Sequence, residues 1–287
     1  MAETAATLAV AYFLLLLCAT LFQNRLIFFP EIPGRLSGDW HPQGLPVEDV
    51  SLTTDDGVKL HAWWIPARNA EFTFLAFHGN AANIANRADV YHFLHTLPVN
   101  VLAVEYRGYG RSEGAPSELG IYRDADAAYR YVTRDRSVAP RRVIVFGQSL
   151  GTAAAADLAA RQEVGGVILE APFRSAAAVA RRLYWFLPGL SLLLRAKFDT
   201  GAKLERVRAP VMVVHCAQDP VIPIALGREV ESLVRPPKLF FTVGGYCHEE
   251  ASLVDPAGYR ARLEDFFKMV REAGRKDRSS GGLAGGH

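Results

Sequence analysis

Gly147-Gln148-Ser149-Leu150-Gly151 holds a serine in a glycine-bounded turn. A β-branched run, Val143–Phe146, precedes it, and an alanine-rich run, Thr152–Arg161, follows. Strand, turn and helix in that order are the setting a G-x-S-x-G nucleophile elbow requires. The glycines have a physical reason: a serine in so tight a turn needs neighbours without side chains, or the backbone cannot close. The turn lifts the hydroxyl above the sheet. The helix behind it points its first N–H groups at developing negative charge.

A hydroxyl attacks only when a base takes its proton and an acid orients that base. Behind such an elbow the acid comes next along the chain and the histidine last. The strand Val211–His215 leads through Cys216-Ala217-Gln218 to Asp219, which is assigned as the acid. Glu170, at the end of the strand Val167–Leu169, and Asp199 are its competitors. Glu170 reads instead as a buried carboxylate bonded to loop amides. The strand Lys238–Val243 leads to His248, the assigned base. His287 lies in the tail, and His215 falls within a strand as a core histidine. The strand Thr73–Phe77 runs into His78-Gly79-Asn80, so the backbone N–H groups of Asn80 and Leu150 are the expected oxyanion donors. His78 is expected to make structural hydrogen bonds. This chemistry calls for no metal and no organic cofactor.

The elements that must position these groups alternate along the chain. Val47–Thr53 and Lys59–Ile65 read as strands paired around Asp55-Asp56-Gly57. Val101–Glu105 reads as a further strand, and Ile84–Leu97, Glu118–Thr133 and Pro256–Ala273 as helices. Short apolar strands separated by helices predict an α/β fold with a mostly parallel central sheet covered on both faces. Residues 47–274 form the expected catalytic domain, with a cap insertion at 175–203 and a disordered tail at 275–287. The cap's apolar stretch, Leu183–Leu194, is broken by Pro188-Gly189 and flanked by Arg174, Arg181, Arg182, Arg195 and Lys197. It reads as a lid that admits an acyl chain and leans on anionic lipid, or as an ordinary packed insertion with solvated charges.

Residues 5–24 carry no charge, and 20 helical residues span about 30 Å, the thickness of a hydrocarbon core. Residues 1–25 are therefore expected to be an uncleaved single-pass membrane anchor, joined by a linker at 26–46. A cleaved signal peptide fits less well, because no basic residue precedes the run. Arg25 after the run and Glu3 before it weakly place the globular part in the cytoplasm. The net charge of +2, with no basic stripe, gives no reason to expect nucleic acid as a partner. Cys18, Cys216 and Cys247 make neither a disulfide framework nor a zinc site; the last two, each close to an assigned catalytic residue, read as buried thiols, with a pairing between them left open. A monomer is expected.

The segments Phe77–Arg87 (FHGNAANIANR), Val104–Gly114 (VEYRGYGRSEG), GQSLG and Gln218–Pro223 (QDPVIP) carry a resemblance. The chain resembles the α/β-hydrolase superfamily and, more narrowly, its membrane-anchored α/β-hydrolase-domain-containing branch. The branch usually has glycine where Ala82 stands, and often Gly-x-His where Tyr246-Cys247-His248 stands. Some members are similar to protein depalmitoylases, which cleave thioesters. The resemblance implies hydrolysis but no particular substrate; the leading expectation is an ester or thioester hydrolase acting on acylated or lipid-like substrates near a membrane. A serine peptidase acting on short peptides and a non-catalytic scaffold are the alternatives.

Overall fold

The computed structural model describes residues 2–281. Its centre is an eight-stranded sheet: β1 (Glu48–Thr53), β2 (Lys59–Ile65), β3 (Phe72–Phe77), β4 (Val99–Val104), β5 (Val143–Gln148), β6 (Gly166–Glu170), β7 (Val211–Cys216) and β8 (Lys238–Val243). Their spatial order is β1-β2-β4-β3-β5-β6-β7-β8. β2 runs antiparallel to β1 and β4, and every other pairing is parallel. The interior strands β3, β5, β6 and β7 are buried at every position, so they read as unbroken apolar runs. The edge strand β1 is mostly exposed.

Eleven α-helices lie among the described residues: α1 (Ala2–Leu21), α2 (Gln23–Ile27), α3 (Ala88–His95), α4 (Glu118–Arg130), α5 (Gly151–Arg161), α6 (Ala176–Leu183), α7 (Leu190–Leu193), α8 (Thr200–Leu204), α9 (Ile224–Leu233), α10 (Ala251–Val254) and α11 (Pro256–Gly281). Two apolar clusters result, one on each face of the sheet. Ile121 of α4, Ala153 to Ala156 of α5 and Val230 of α9 fill one. Tyr91 of α3 and Tyr259, Leu263 and Phe266 of α11 fill the other. The alanine-rich face of α5 lets this helix lie close on the sheet directly behind the serine turn.

Three local expectations change. The helix expected over 84–97 divides into a 3-10 turn, Ile84–Arg87, and α3. Asn83 causes the division, because its side chain accepts the N–H groups of Ala85 and Asn86 and caps the turn. The helix expected to reach Thr133 ends in a π-turn over Tyr131–Asp135. The tail expected to be disordered from 275 is helical through Gly281, since Arg275 and Lys276 are good helix formers that continue α11. Residues 282–287 of that expectation lie outside the described residues. α9 and α10 were not expected.

The cap consists of α6 and α7 joined across Pro188-Gly189, where Gly189 takes φ 89°. Before the sheet, α1 stands apart from it with none of its residues buried, long and apolar enough to cross a membrane. Its neighbour is the cap: the Tyr12 hydroxyl donates to the Pro188 carbonyl.

Candidate active site

β5 delivers Ser149 to the C-terminal edge of the sheet. Ser149 adopts φ 49°, a conformation that costs an ordinary residue roughly 1–2 kcal/mol. Its N–H is held by the Glu170 carbonyl at 2.8 Å. A Cβ on Gly147 would strike the backbone of Gly151, and one on Gly151 would strike the Phe77 carbonyl. Both glycines are thus required by the approach of backbone to backbone.

The chain beyond β7 and β8 brings two more groups to this edge. His248 Nε2 lies 2.9 Å from Ser149 Oγ, and its Nδ1 lies 2.8 Å from Asp219 Oδ2. The pair of partners assigns the tautomer: Nδ1–H donates to the carboxylate and Nε2 accepts the serine hydroxyl. Asp219 Oδ1 accepts the N–H groups of Val221 and Ile222, both at 2.8 Å. Burial alone would raise the Asp219 pKa, but hydrogen bonds from His215 and His248 hold it well below the usual carboxylate range. Burial alone would lower the His248 pKa. The hydrogen bond to Asp219 and the charges of Glu249, Asp219 and Glu250 outweigh it, so the net shift is upward.

The competing acids are elsewhere. Glu170 accepts the Ala251 N–H at 2.9 Å and the Tyr259 hydroxyl at 3.2 Å, and burial pushes its pKa up to about 8. Asp199 caps α8 through the Ala202 N–H.

After β3, His78 is buried, with Nδ1 2.7 Å from the Gly79 carbonyl and Nε2 3.1 Å from Glu105. Tyr106 and Tyr109 donate hydroxyl hydrogen bonds to the carbonyls of His78 and Asn80 at 2.9 and 2.7 Å. Those bonds fix the carbonyl side of the loop. Among the described residues no acceptor takes the N–H of Asn80 or of Leu150. Ala82, where the branch usually has glycine, stands at φ 63° and donates its N–H to the Ile32 carbonyl at 2.7 Å.

Several neighbours went unread in the sequence. His215 is more than a core histidine: its Nε2 donates to the Ile222 carbonyl at 2.8 Å and lies 3.4 Å from Asp219 Oδ2. Glu249 places Oε1 3.8 Å from His248 Nε2, while its Oε2 pairs with Arg87 at 2.7 Å. The expectation of two buried thiols is overturned, because Cys216 and Cys247 form a disulfide. The reason lies in the sheet. Cys216 ends β7, and the chain leaving the adjacent β8 folds back, with the Gln218 N–H on the Gly245 carbonyl. That return sets the two Cα atoms 5.6 Å apart, within disulfide range. One cysteine is three residues before the acid and the other adjoins the histidine, a spacing that was the available signal.

Known proteins share both sequence and fold. Residues 68–196 match the family described as serine aminopeptidase S33. The α/β hydrolase domain-containing protein WAV2 of Arabidopsis thaliana is 35% identical over 70% of this chain and 72% of its own. The chain belongs to the α/β-hydrolase superfamily. An uncharacterized Mycobacterium tuberculosis protein is similar to this α/β hydrolase at 34% identity, over 81% of this chain and 83% of that one. The esterase Pf2001 of Pyrococcus furiosus shares its fold, with a TM-score of 0.68 at 22% identity, covering 82% of this chain and 97% of that one.

Proposed function

We propose that this α/β hydrolase is a serine hydrolase that cleaves carboxylic esters or thioesters of acyl, lipid-like substrates through an acyl-enzyme on Ser149. One observation carries the reading: a single imidazole, His248, within hydrogen-bond reach of both Ser149 Oγ and Asp219. His248 Nε2 takes the hydroxyl proton as Oγ bonds to the acyl carbon. The carbonyl electron pair moves onto oxygen, where the Asn80 and Leu150 amides receive it, each worth roughly 3–4 kcal/mol. Asp219 holds the tautomer and stabilises the imidazolium. The C–O or C–S bond then breaks, and His248 gives its proton to the leaving alcohol or thiol. Water, deprotonated by the same imidazole, releases the acid and restores the hydroxyl.

The substrate class follows from the charges around the site. An aminopeptidase needs a free carboxylate to hold the substrate ammonium. Glu249, the carboxylate nearest the His248 imidazole after Asp219, is engaged by Arg87, Glu250 is turned onto the backbone N–H groups of His248 and Glu249 at 3.2 and 3.1 Å, and the exposed charges flanking the cap are basic. α1 serves as a membrane helix that keeps the enzyme beside acylated substrates. A panel of esters, thioesters and aminoacyl amides of graded acyl length tests the reading. Turnover of long-chain esters or thioesters, lost in Ser149→Ala, is the expected result. Turnover confined to aminoacyl amides would overturn it.

A further inference from the structure

The cap carries an exposed apolar surface that water does not explain. Trp185 is 77% exposed and Leu192 81%, with Tyr184, Phe186 and Leu193 exposed beside them. Such a contiguous patch on a soluble domain marks a binding surface. Contacts with α1 fix where that surface lies. The Tyr12 hydroxyl bonds to the Pro188 carbonyl. Leu16 reaches within 3.9 Å of a Cβ built on Gly189. Both residues lie in the C-terminal half of α1, so at ~1.5 Å per residue the cap turn sits roughly 8–14 Å inside that end of the helix. Interfacial elements bury to a depth of about 5–10 Å.

Charge sorts along the same axis. Gln23, just past the end of α1, accepts the backbone N–H groups of Arg195 and Ala196 at 2.7 and 3.4 Å. Arg195 is thereby held at the level where α1 ends, beside Arg25. The two residues line one cavity of about 540 Å³ between α2, the start of α4 and the cap. Among the described residues neither guanidinium forms an ion pair, although Glu118 lines the same cavity and accepts the Lys197 backbone N–H at 2.6 Å, and the exposed side chains of Arg181, Arg182 and Lys197 form none either. The apolar cap turn thus lies beside the C-terminal half of α1, and the cations Arg25 and Arg195 lie at its end.

The active site lies close to this level. Phe29, which follows α2, bridges to Ala81, the residue after Asn80. The linker from the membrane helix is therefore laid directly on the loop that carries an oxyanion donor.

We propose that the cap, residues 183–193, inserts into the same bilayer leaflet as the C-terminal half of α1, so that this hydrolase takes its acyl substrate from lipid. Cations at the ends of the cap and of α1 then rest on anionic headgroups. The proposal rests on the reading of α1 as a membrane helix, and the test separates the two. The full chain is reconstituted in phosphatidylcholine vesicles containing phosphatidylglycerol and lipids brominated along the acyl chain. Bromine quenching of tryptophan fluorescence is expected in the native chain and is lost in Trp185→Phe. Trp185→Glu with Leu192→Glu is expected to lower turnover of a vesicle-borne ester by about tenfold or more, with turnover of a short soluble ester unchanged. Alkaline carbonate washing reports on α1 independently. A chain that resists washing but whose quenching is the same in Trp185→Phe keeps its membrane helix and overturns the cap proposal. A chain that washes off, yet loses its quenching in Trp185→Phe, overturns the membrane helix and supports the cap. Loss of self-association in the double variant, without quenching in the native chain, would assign the patch to a second copy and overturn the proposal.

Discussion

The edge of the sheet around Ser149 and the pair formed by α1 and the cap solve opposite problems. At the sheet edge polar groups are buried and nearly every one has a partner. Glu170, His78 and Glu105 are fully enclosed and hydrogen-bonded, as burial of a polar group demands. In α1 and the cap, which touch each other, large apolar side chains such as Phe13, Trp185 and Leu192 are exposed. The first region is complete in water, and its geometry does not depend on anything further. The second exposes apolar surface and includes a helix long and apolar enough to cross a membrane. On the proposed reading, chemistry and membrane attachment reside in different parts of the chain, and substitutions should separate them.

The largest effects belong to the site. Ser149→Ala or His248→Ala should lower kcat by about 10⁵–10⁶, with an unchanged thermal unfolding transition. Asp219→Asn should cost about 10⁴, because it imposes the wrong tautomer on His248. Steady-state kinetics on a soluble ester checks all three. Comparable loss from a cap substitution on that substrate would erase the distinction between the regions.

The disulfide comes next. It closes a 31-residue separation between the acid and histidine loops. Cys216→Ser with Cys247→Ser should lower stability by roughly 3–4 kcal/mol in denaturant unfolding, following loop-closure entropy. Dithiothreitol should likewise reduce kcat, as the two loops that must meet within hydrogen-bond distance lose their tie. Such bridges persist in oxidising compartments and are rare in the cytosol.

The pH dependence gives a subtler test. Activity requires neutral His248, whose pKa is raised, so the acidic limb of kcat/KM should lie above the ordinary histidine value. Glu249→Gln removes one of the charges that raise it and should move that limb to lower pH. Glu170 supplies a stability counterpart. Its folded pKa of about 8 lies above its unfolded value, so the folded state binds the extra proton and loses stability as pH rises through that window. Glu170→Gln should flatten this decline, as seen in thermal melts across the same range.

The smallest effect expected is local. Ala82 occupies a left-handed conformation two residues after Asn80, so Ala82→Gly should stabilise the fold by about 0.5–1 kcal/mol.

The sequence made the site legible because elbow geometry depends on local residue types. Glycines at 147 and 151 must accommodate a close backbone, and a strand and a helix must flank them. Asp219 and His248 were legible through chain order and strand ends. His215, Glu249 and the Cys216–Cys247 bridge were not, because each owes its place to the return of the chain after β8, a tertiary event without local periodicity. α9 also escaped notice. The cap stayed open between lid and packed insertion, since an apolar run is the same in either setting until its neighbours are known. Its contact with α1 decides which residues face outward.

The most direct test of the central claim is covalent. The folded chain is treated with a fluorophosphonate and its adduct is mapped by peptide mass spectrometry. The account predicts one adduct, on Ser149, formed faster as pH rises through the His248 titration and absent in His248→Ala. A folded native chain that stays unlabelled, or is labelled at another residue, would contradict it.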